Sequence, residues 1–292
     1  MLMGVGGWTG RVVRRWLSER DATRAMASQN LNDNQRLWEA YAKRWPRRHS
    51  AIEDPALRAA GNGRLARVGD EWGVAADIDR IVGEFIRPFV AADSVVAEIG
   101  VGGGRIASRI ARDCNRLYCF DISRRMLAHA RRALKDHGNI EYVLLDQSRI
   151  DPAFTAFFDF VYAFDVFVHL DLHEMWKYFL AFRMMLKDGA KVFIHTTNLR
   201  ADGGWDRFVR QAAYSVEGHY FISPEIVSIL SERSGLRIVK ASTNDATNFY
   251  LHRDYMAVLQ KPAAATNIAS DIISARRRPS SPGRTPRPDH AE

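Results

Sequence analysis

Short apolar runs recur through the middle of the chain, and most are followed by a stretch in which apolar residues return every three or four positions. VVAEIG (95–100), RLYCFD (116–121), IEYVLLDQ (140–147), FDFVYAFDVFVHL (158–170) and AKVFIHTTN (190–198) predict buried strands of a parallel sheet. RIASRIAR (105–112) and SRRMLAHARRALKDHG (123–138) predict helices after the first two strands, the second starting at Ser123 and ending before Gly138. DLHEMWKYFLAFRMMLKDG predicts a helix capped by Asp171 with Glu174, burying Leu172, Met175, Trp176, Phe179 and Leu186. SPEIVSILSERSG has Ser223 at N-cap, Pro224 at N1 and Gly235 past its end. LRIVKAST and DYMAVLQKP then read as two closing strands joined by a short connection. Upstream, Leu37, Trp38, Tyr41 and Trp45 recur at helical spacing. A further helix is expected to start at an Asp77 N-cap, with Ile78, Ile81, Val82, Phe85 and Ile86 on one face and Pro88 near its end. This alternation predicts an α/β fold with a doubly wound sheet, whose right-handed crossovers gather the ends of strands one, two and four along one edge.

The first strand runs into Glu98 and then Gly100, Gly102 and Gly104, a GxGxG spacing at a strand–turn–helix junction. Glycine suits such a turn because it accepts φ > 0 and, lacking a Cβ, lets a ligand lie on the main chain. The second strand ends in Asp121, where doubly wound folds place the carboxylate that holds ribose hydroxyls. A dinucleotide fingerprint needs its third glycine at position 105, which is Arg105, and a phosphate-loop Gly-Lys-Ser/Thr is absent. A glycine-rich turn without a ligand is the plainer alternative.

These motifs resemble the class I S-adenosylmethionine (SAM) dependent methyltransferases over about residues 31–262. The resemblance implies a Rossmann-like sheet of seven strands with the last antiparallel, and SAM as cofactor. It implies that Glu98 and the three glycines face the methionine end, that Asp121 holds the ribose and that Ile122 closes over the adenine. Asp146 or its neighbour Gln147 would meet the adenine edge, and Phe164 the methionine portion. YAFDVFVHL is similar to the family's fourth motif in small-molecule enzymes, which makes Asp165 and His169 the candidates for the acceptor side. An imidazole held toward an acceptor hydroxyl by Asp165 could take its proton; the alternative is a half-buried structural histidine. His195 and His219 are weaker candidates. Trp72, within GDEWG, suits a lid over the cofactor or equally a loop packed on the core.

Composition divides the chain further. The formal charge is +8, with +3 in residues 1–30 and +2 in 262–292. The expected organisation is a basic N-terminal extension (1–30), a helical cap or lid (31–90), a SAM-binding domain (91–261) and a Pro-, Ser- and Arg-rich disordered tail (262–292). Cys114 and Cys119 are too few for a disulfide framework and lack metal-ligand spacing, which suits a reducing cytoplasm and predicts no metal site. The most apolar window is broken by Asp159 and Asp165, so no membrane span is expected. The Asn/Asp-Pro-Pro-aromatic motif of base-amine methylation is missing after the fourth strand, as is a Pro-Cys pair. A small-molecule hydroxyl acceptor is therefore favoured, over a nucleic-acid or ribosomal methyltransferase using its basic ends and over a non-catalytic SAM-binding regulator.

Overall fold

The structure, a computed structural model, describes residues 29–48, 67–211 and 218–263. The basic extension up to residue 28 and the tail beyond 263 lie outside the described residues. Seven strands form one sheet: β1 (Val95–Ile99), β2 (Arg116–Asp121), β3 (Ile140–Leu144), β4 (Phe158–Ala163), β5 (Leu186–Thr197), β6 (Arg237–Ala241) and β7 (Asp254–Gln260). Their order is β3-β2-β1-β4-β5-β7-β6, and β7 runs antiparallel to both β5 and β6. The Rossmann-like methyltransferase arrangement expected from the sequence is present.

Both faces of this sheet are buried, which is why its strands read as continuous apolar runs rather than alternating ones. Along β1, Val96 joins a cluster on one face with Ile78, Phe85 and Phe193. Its neighbours Ala97 and Ile99 join the opposite cluster, with Phe120, Phe179 and Phe182. Helices close the two layers: α1 (Gln29–Arg48), α2 (Ala75–Ile81), α3 (Ala107–Ile110), α4 (Arg124–Ala133), α5 (Leu172–Met185), α6 (Asp202–Arg210) and α7 (Pro224–Arg233).

Several expected boundaries move. Val74, not Asp77, precedes α2; Asp77 sits in the first turn, and its carboxylate accepts from the Phe249 amide at 3.0 Å. β4 stops at Ala163, and the remainder of the run turns through a short 3₁₀ segment, Phe167–His169. That turn matters, because it releases Phe164, Asp165 and His169 from the sheet. Asp171 does cap α5, accepting from the Glu174 amide at 2.9 Å. The Glu174 carboxylate instead takes Ser148 and Lys177, so the reciprocal half of the capping pair is missing. The buried stripe of α5 is Met175, Tyr178, Phe179, Phe182 and Met185; Leu172 is exposed and Leu186 already belongs to β5. Residues 237–241 and 254–260 form the closing pair, but the connection between them carries Tyr250 and Arg253 back toward β4.

α1 is a docked cap. Asn30 and Asn34 donate to the His169 carbonyl at 3.2 and 3.0 Å, Gln35 donates to the Ile122 carbonyl at 2.9 Å, and Glu39 pairs with Arg125 at 3.0 Å. These contacts lay the helix across the carboxyl ends of β1, β2 and β4, where ligands bind in open α/β sheets. Among the described residues no helix is long and apolar enough to cross a membrane.

Candidate functional site

A cavity of about 340 Å³ opens under α1 at those strand ends. One side is the turn after β1. Gly100, Gly102 and Gly104 have φ of 74°, 52° and 88°, a region where a side chain strains the backbone. Their reasons differ. A Cβ on Gly100 would stand 2.4 Å from Val166 Cγ2, so that glycine lets the turn after β4 pack. A Cβ on Gly102 would meet no protein atom within 4 Å, which leaves a cradle on the cavity wall that only a ligand would fill.

Asp121 closes the far end of this turn. Its carboxylate accepts from the Gly102 amide at 2.9 Å and the Ser123 amide at 2.8 Å, which orients it along the cavity. Burial pushes its carboxyl up to about 6 although both amides favour the charged form. Glu98 accepts from the Tyr162 hydroxyl at 3.0 Å, and burial raises it well above the usual carboxylate range. A buried acid of this kind is ready to ionise against a ligand ammonium. The residues therefore fit a cofactor with a ribose at one end and an amine at the other.

The other side is a buried chain of charges. Asp165, at φ 57°, turns its carboxylate to Arg105 at 2.5 Å and to His195 Nδ1 at 3.2 Å. The antiparallel register sets His195 opposite Met256, so Asp254 lies diagonally two positions away, 3.1 Å from Nε2. Burial disfavours a charged His195, but the Asp165 and Asp254 carboxylates beside its two ring nitrogens prevail and raise its pKa to about 9. Burial would equally raise Asp165; the His195 bond and the charges of His195 and Arg105 hold it far below the usual range. Arg105 also donates to the Gly69 carbonyl at 2.9 Å and to the Tyr250 hydroxyl at 3.0 Å, tying the Trp72 loop to the glycine turn.

Residues 96–189 match the family model for a methyltransferase domain. Over that stretch the chain is similar to a methyltransferase domain. Magnesium protoporphyrin IX methyltransferase from Synechocystis, solved with SAM, is similar at 14% identity with a TM-score of 0.58, covering 80% of this chain and 98% of that one. The CcbJ methyltransferase of Streptomyces caelestis aligns at 20% identity and a TM-score of 0.52, over 67% of this chain and 95% of that one. The [4+2]-cyclase SpnF aligns as well, at 14% identity and 0.57, over 79% and 97%. One fold thus carries different chemistries, and the acceptor must be argued from the site itself. No curated protein matches the sequence.

Within this stretch, Glu98, Gly100, Gly102, Asp121, Ile122, Phe164, Asp165 and His169 all line the cavity. Gly104 packs behind the turn, where a Cβ would stand 3.0 Å from Leu134. The adenine-edge expectation needs correction: Asp146 is turned out to Arg149 at 3.2 Å, Gln147 bonds Asn32 at 2.8 Å, and Leu145 is the wall residue from that segment. Asp165 does not orient His169 either, being engaged by Arg105 and His195. The His169 ring is held instead by the Gly218 carbonyl, 3.1 Å from Nδ1. That carbonyl can only accept, so Nδ1 carries the proton and Nε2 the lone pair. Trp72 does sit over the cavity, meeting Trp38 at 5.6 Å and Tyr41 at 5.1 Å between ring centres. Sequence reasoning missed Arg207, Tyr250 and Arg253 as wall residues and ranked His219, which also lines the cavity, below His169. The only available signal was that the segments between the last strands are rich in Arg, His and aromatic residues.

Proposed function

We propose that the protein is a SAM-dependent methyltransferase for a small-molecule acceptor, with a hydroxyl oxygen as nucleophile and His169 as its base. Bound SAM supplies an electrophilic methyl group on a sulfonium. The observation that carries the reading is that one cavity joins the glycine turn and Asp121 to His169. Asp121 and the turn amides hold and orient the nucleoside part, and Glu98 faces the amine. The aromatic cap of Trp38, Tyr41 and Trp72 excludes water, so that a positioned hydroxyl meets the methyl group in line. His169 offers Nε2 as acceptor for the hydroxyl proton.

Burial lowers the pKa of His169 to about 4. This replaces the ordinary value near 6.5 expected for an accessible imidazole. The imidazole is therefore neutral through the physiological range, and turnover should not fall with His169 protonation until pH approaches about 4. The test measures S-adenosylhomocysteine (SAH) release from SAM over a panel of small hydroxylated acceptors. His169→Ala is expected to lower kcat roughly 10²–10⁴-fold at nearly constant SAM affinity. An unchanged kcat in a folded variant overturns the role of His169. NAD binding in place of SAM overturns the cofactor reading.

A further inference from the structure

The acceptor half of the cavity holds three guanidinium groups, and only two have carboxylate partners. Arg105 is paired with Asp165 at 2.5 Å, and Arg253 with Asp254 at 2.6 Å. Arg207, on α6, makes no ion pair among the described residues, and its Nε is buried without a hydrogen-bond partner. Burial and the neighbouring Arg253 both work against its charge. Beside it, His219 is 7% exposed and its Nδ1 likewise lacks a partner among the described residues. Burial, with the charges of Arg207 and Arg253 nearby, pushes this imidazole down to about 2, so it is neutral. Arg207 and His219 both line the cavity, and the His219 ring lies 5.4 Å from that of His169.

Buried donors without acceptors are rare because each loses its water without replacement. Here Arg207 Nε and His219 Nδ1 are buried without partners among the described residues, and both side chains stand in the cavity wall next to the proposed base. We propose that this wall is a seat for the acceptor's carboxylate, so that the substrate is a hydroxycarboxylate held by Arg207 and His219 with its hydroxyl at His169. The proposal rests on the methyltransferase reading above and names the acceptor class. A carboxylate suits the seat better than a phosphate. Arg207 is the one guanidinium in this wall without a carboxylate partner among the described residues, and the neighbouring Asp165 and Asp254 oppose a doubly charged ligand. A planar carboxylate also matches the guanidinium fork. The carboxylate is the anchor and the hydroxyl oxygen the nucleophile: the O–CH₃ bond forms as the S–CH₃ bond breaks, the sulfur keeps that electron pair, and the hydroxyl proton passes to His169 Nε2. The product is a methyl ether that retains its carboxylate, not a methyl ester.

The test is a titration of the SAH-loaded full-length protein with benzoate, its neutral analogue benzamide, and inorganic phosphate, followed through arginine Nε–H resonances. The Arg207 resonance is assigned by its loss in Arg207→Met. Benzoate is expected to shift it saturably and to bind at least about tenfold more tightly than benzamide or phosphate. Arg207→Met should erase the preference for benzoate over benzamide with SAH affinity unchanged, and Arg207→Lys should restore part of it. Equal binding of benzoate and benzamide, tighter binding of phosphate, or no saturable benzoate response in the SAH-loaded wild-type protein overturns the carboxylate seat alone. Failure of SAH to bind the wild-type protein overturns the cofactor reading and the seat with it. Formation of a methyl ester in turnover overturns the anchoring role.

Discussion

The same residue type does different work at neighbouring positions of this site, and burial with hydrogen bonding decides which. Asp121 and Asp165 are both wall carboxylates. Burial leaves Asp121 raised to about 6, whereas the surrounding cations hold Asp165 ionised at any working pH. Asp121 is thus the carboxylate whose protonation changes near neutrality. Its ability to accept from ribose hydroxyls should weaken as pH falls through about 6. SAM affinity measured by calorimetry is expected to decline over that range in the wild-type protein. Asp121→Ala should weaken binding at least about tenfold at neutral pH, since two hydrogen bonds to a charged acceptor are lost, each worth about 1.5–3 kcal/mol. The variant should also show no loss across pH 6. A variant with wild-type affinity would remove Asp121 from the cofactor site.

At the scale of the element, the turn between β1 and α3 separates two demands on glycine. Gly102 has φ 52° and open space where a Cβ would go, while a Cβ on Gly103 would stand 2.5 Å from the backbone N and O of Val68. Gly102→Ala should therefore cost about 1–2 kcal/mol of backbone strain and interfere with the ligand that uses the cradle. Gly103→Ala should displace the Val68–Trp72 loop, because backbone cannot yield as a side chain does. Thermal unfolding paired with SAM calorimetry separates them. Gly102→Ala is expected to lose far more affinity than stability, and Gly103→Ala to lose stability in the absence of ligand. If Gly102→Ala bound SAM as the parent does, the cradle would not be a ligand surface. The same turn shows what local pattern can carry. GxGxG and the apolar run before it were legible because strand, tight turn and close approach are all short-range requirements on the chain. The Asp77 cap and the length of β4 were misjudged because the Phe249 amide and the turn at Asp165 come from tertiary contacts.

Across the whole molecule, the turn after β4 (Asp165), β5 (His195) and β7 (Asp254) meet in one buried acid–imidazole–acid chain. His195 is raised to about 9 in the folded protein against about 6.5 when unfolded, so the folded state holds the extra proton between those values. Its stabilising contribution is full below about pH 6.5 and is lost as pH rises through about 9. Wild-type stability should accordingly drop by about 1–3 kcal/mol across that window, several degrees in Tm, and His195→Gln should be less stable with a flatter profile. Identical pH profiles for the two proteins would show that the histidine is neutral throughout. The architecture itself was written in the chain: alternating strands and helices, a glycine turn and an acid one strand later determine a doubly wound sheet with a ligand edge, because periodicity and turn chemistry act over a few residues. Which side chains face one another across that edge was decided by the tertiary structure. Arg105, Asp165, His195, Arg207, His219 and Arg253 come from six separate segments. They meet only because the β5–β7 register, the return of the 242–253 connection and the docking of α1 close the sheet's edge into a cavity, and no local pattern carries that information.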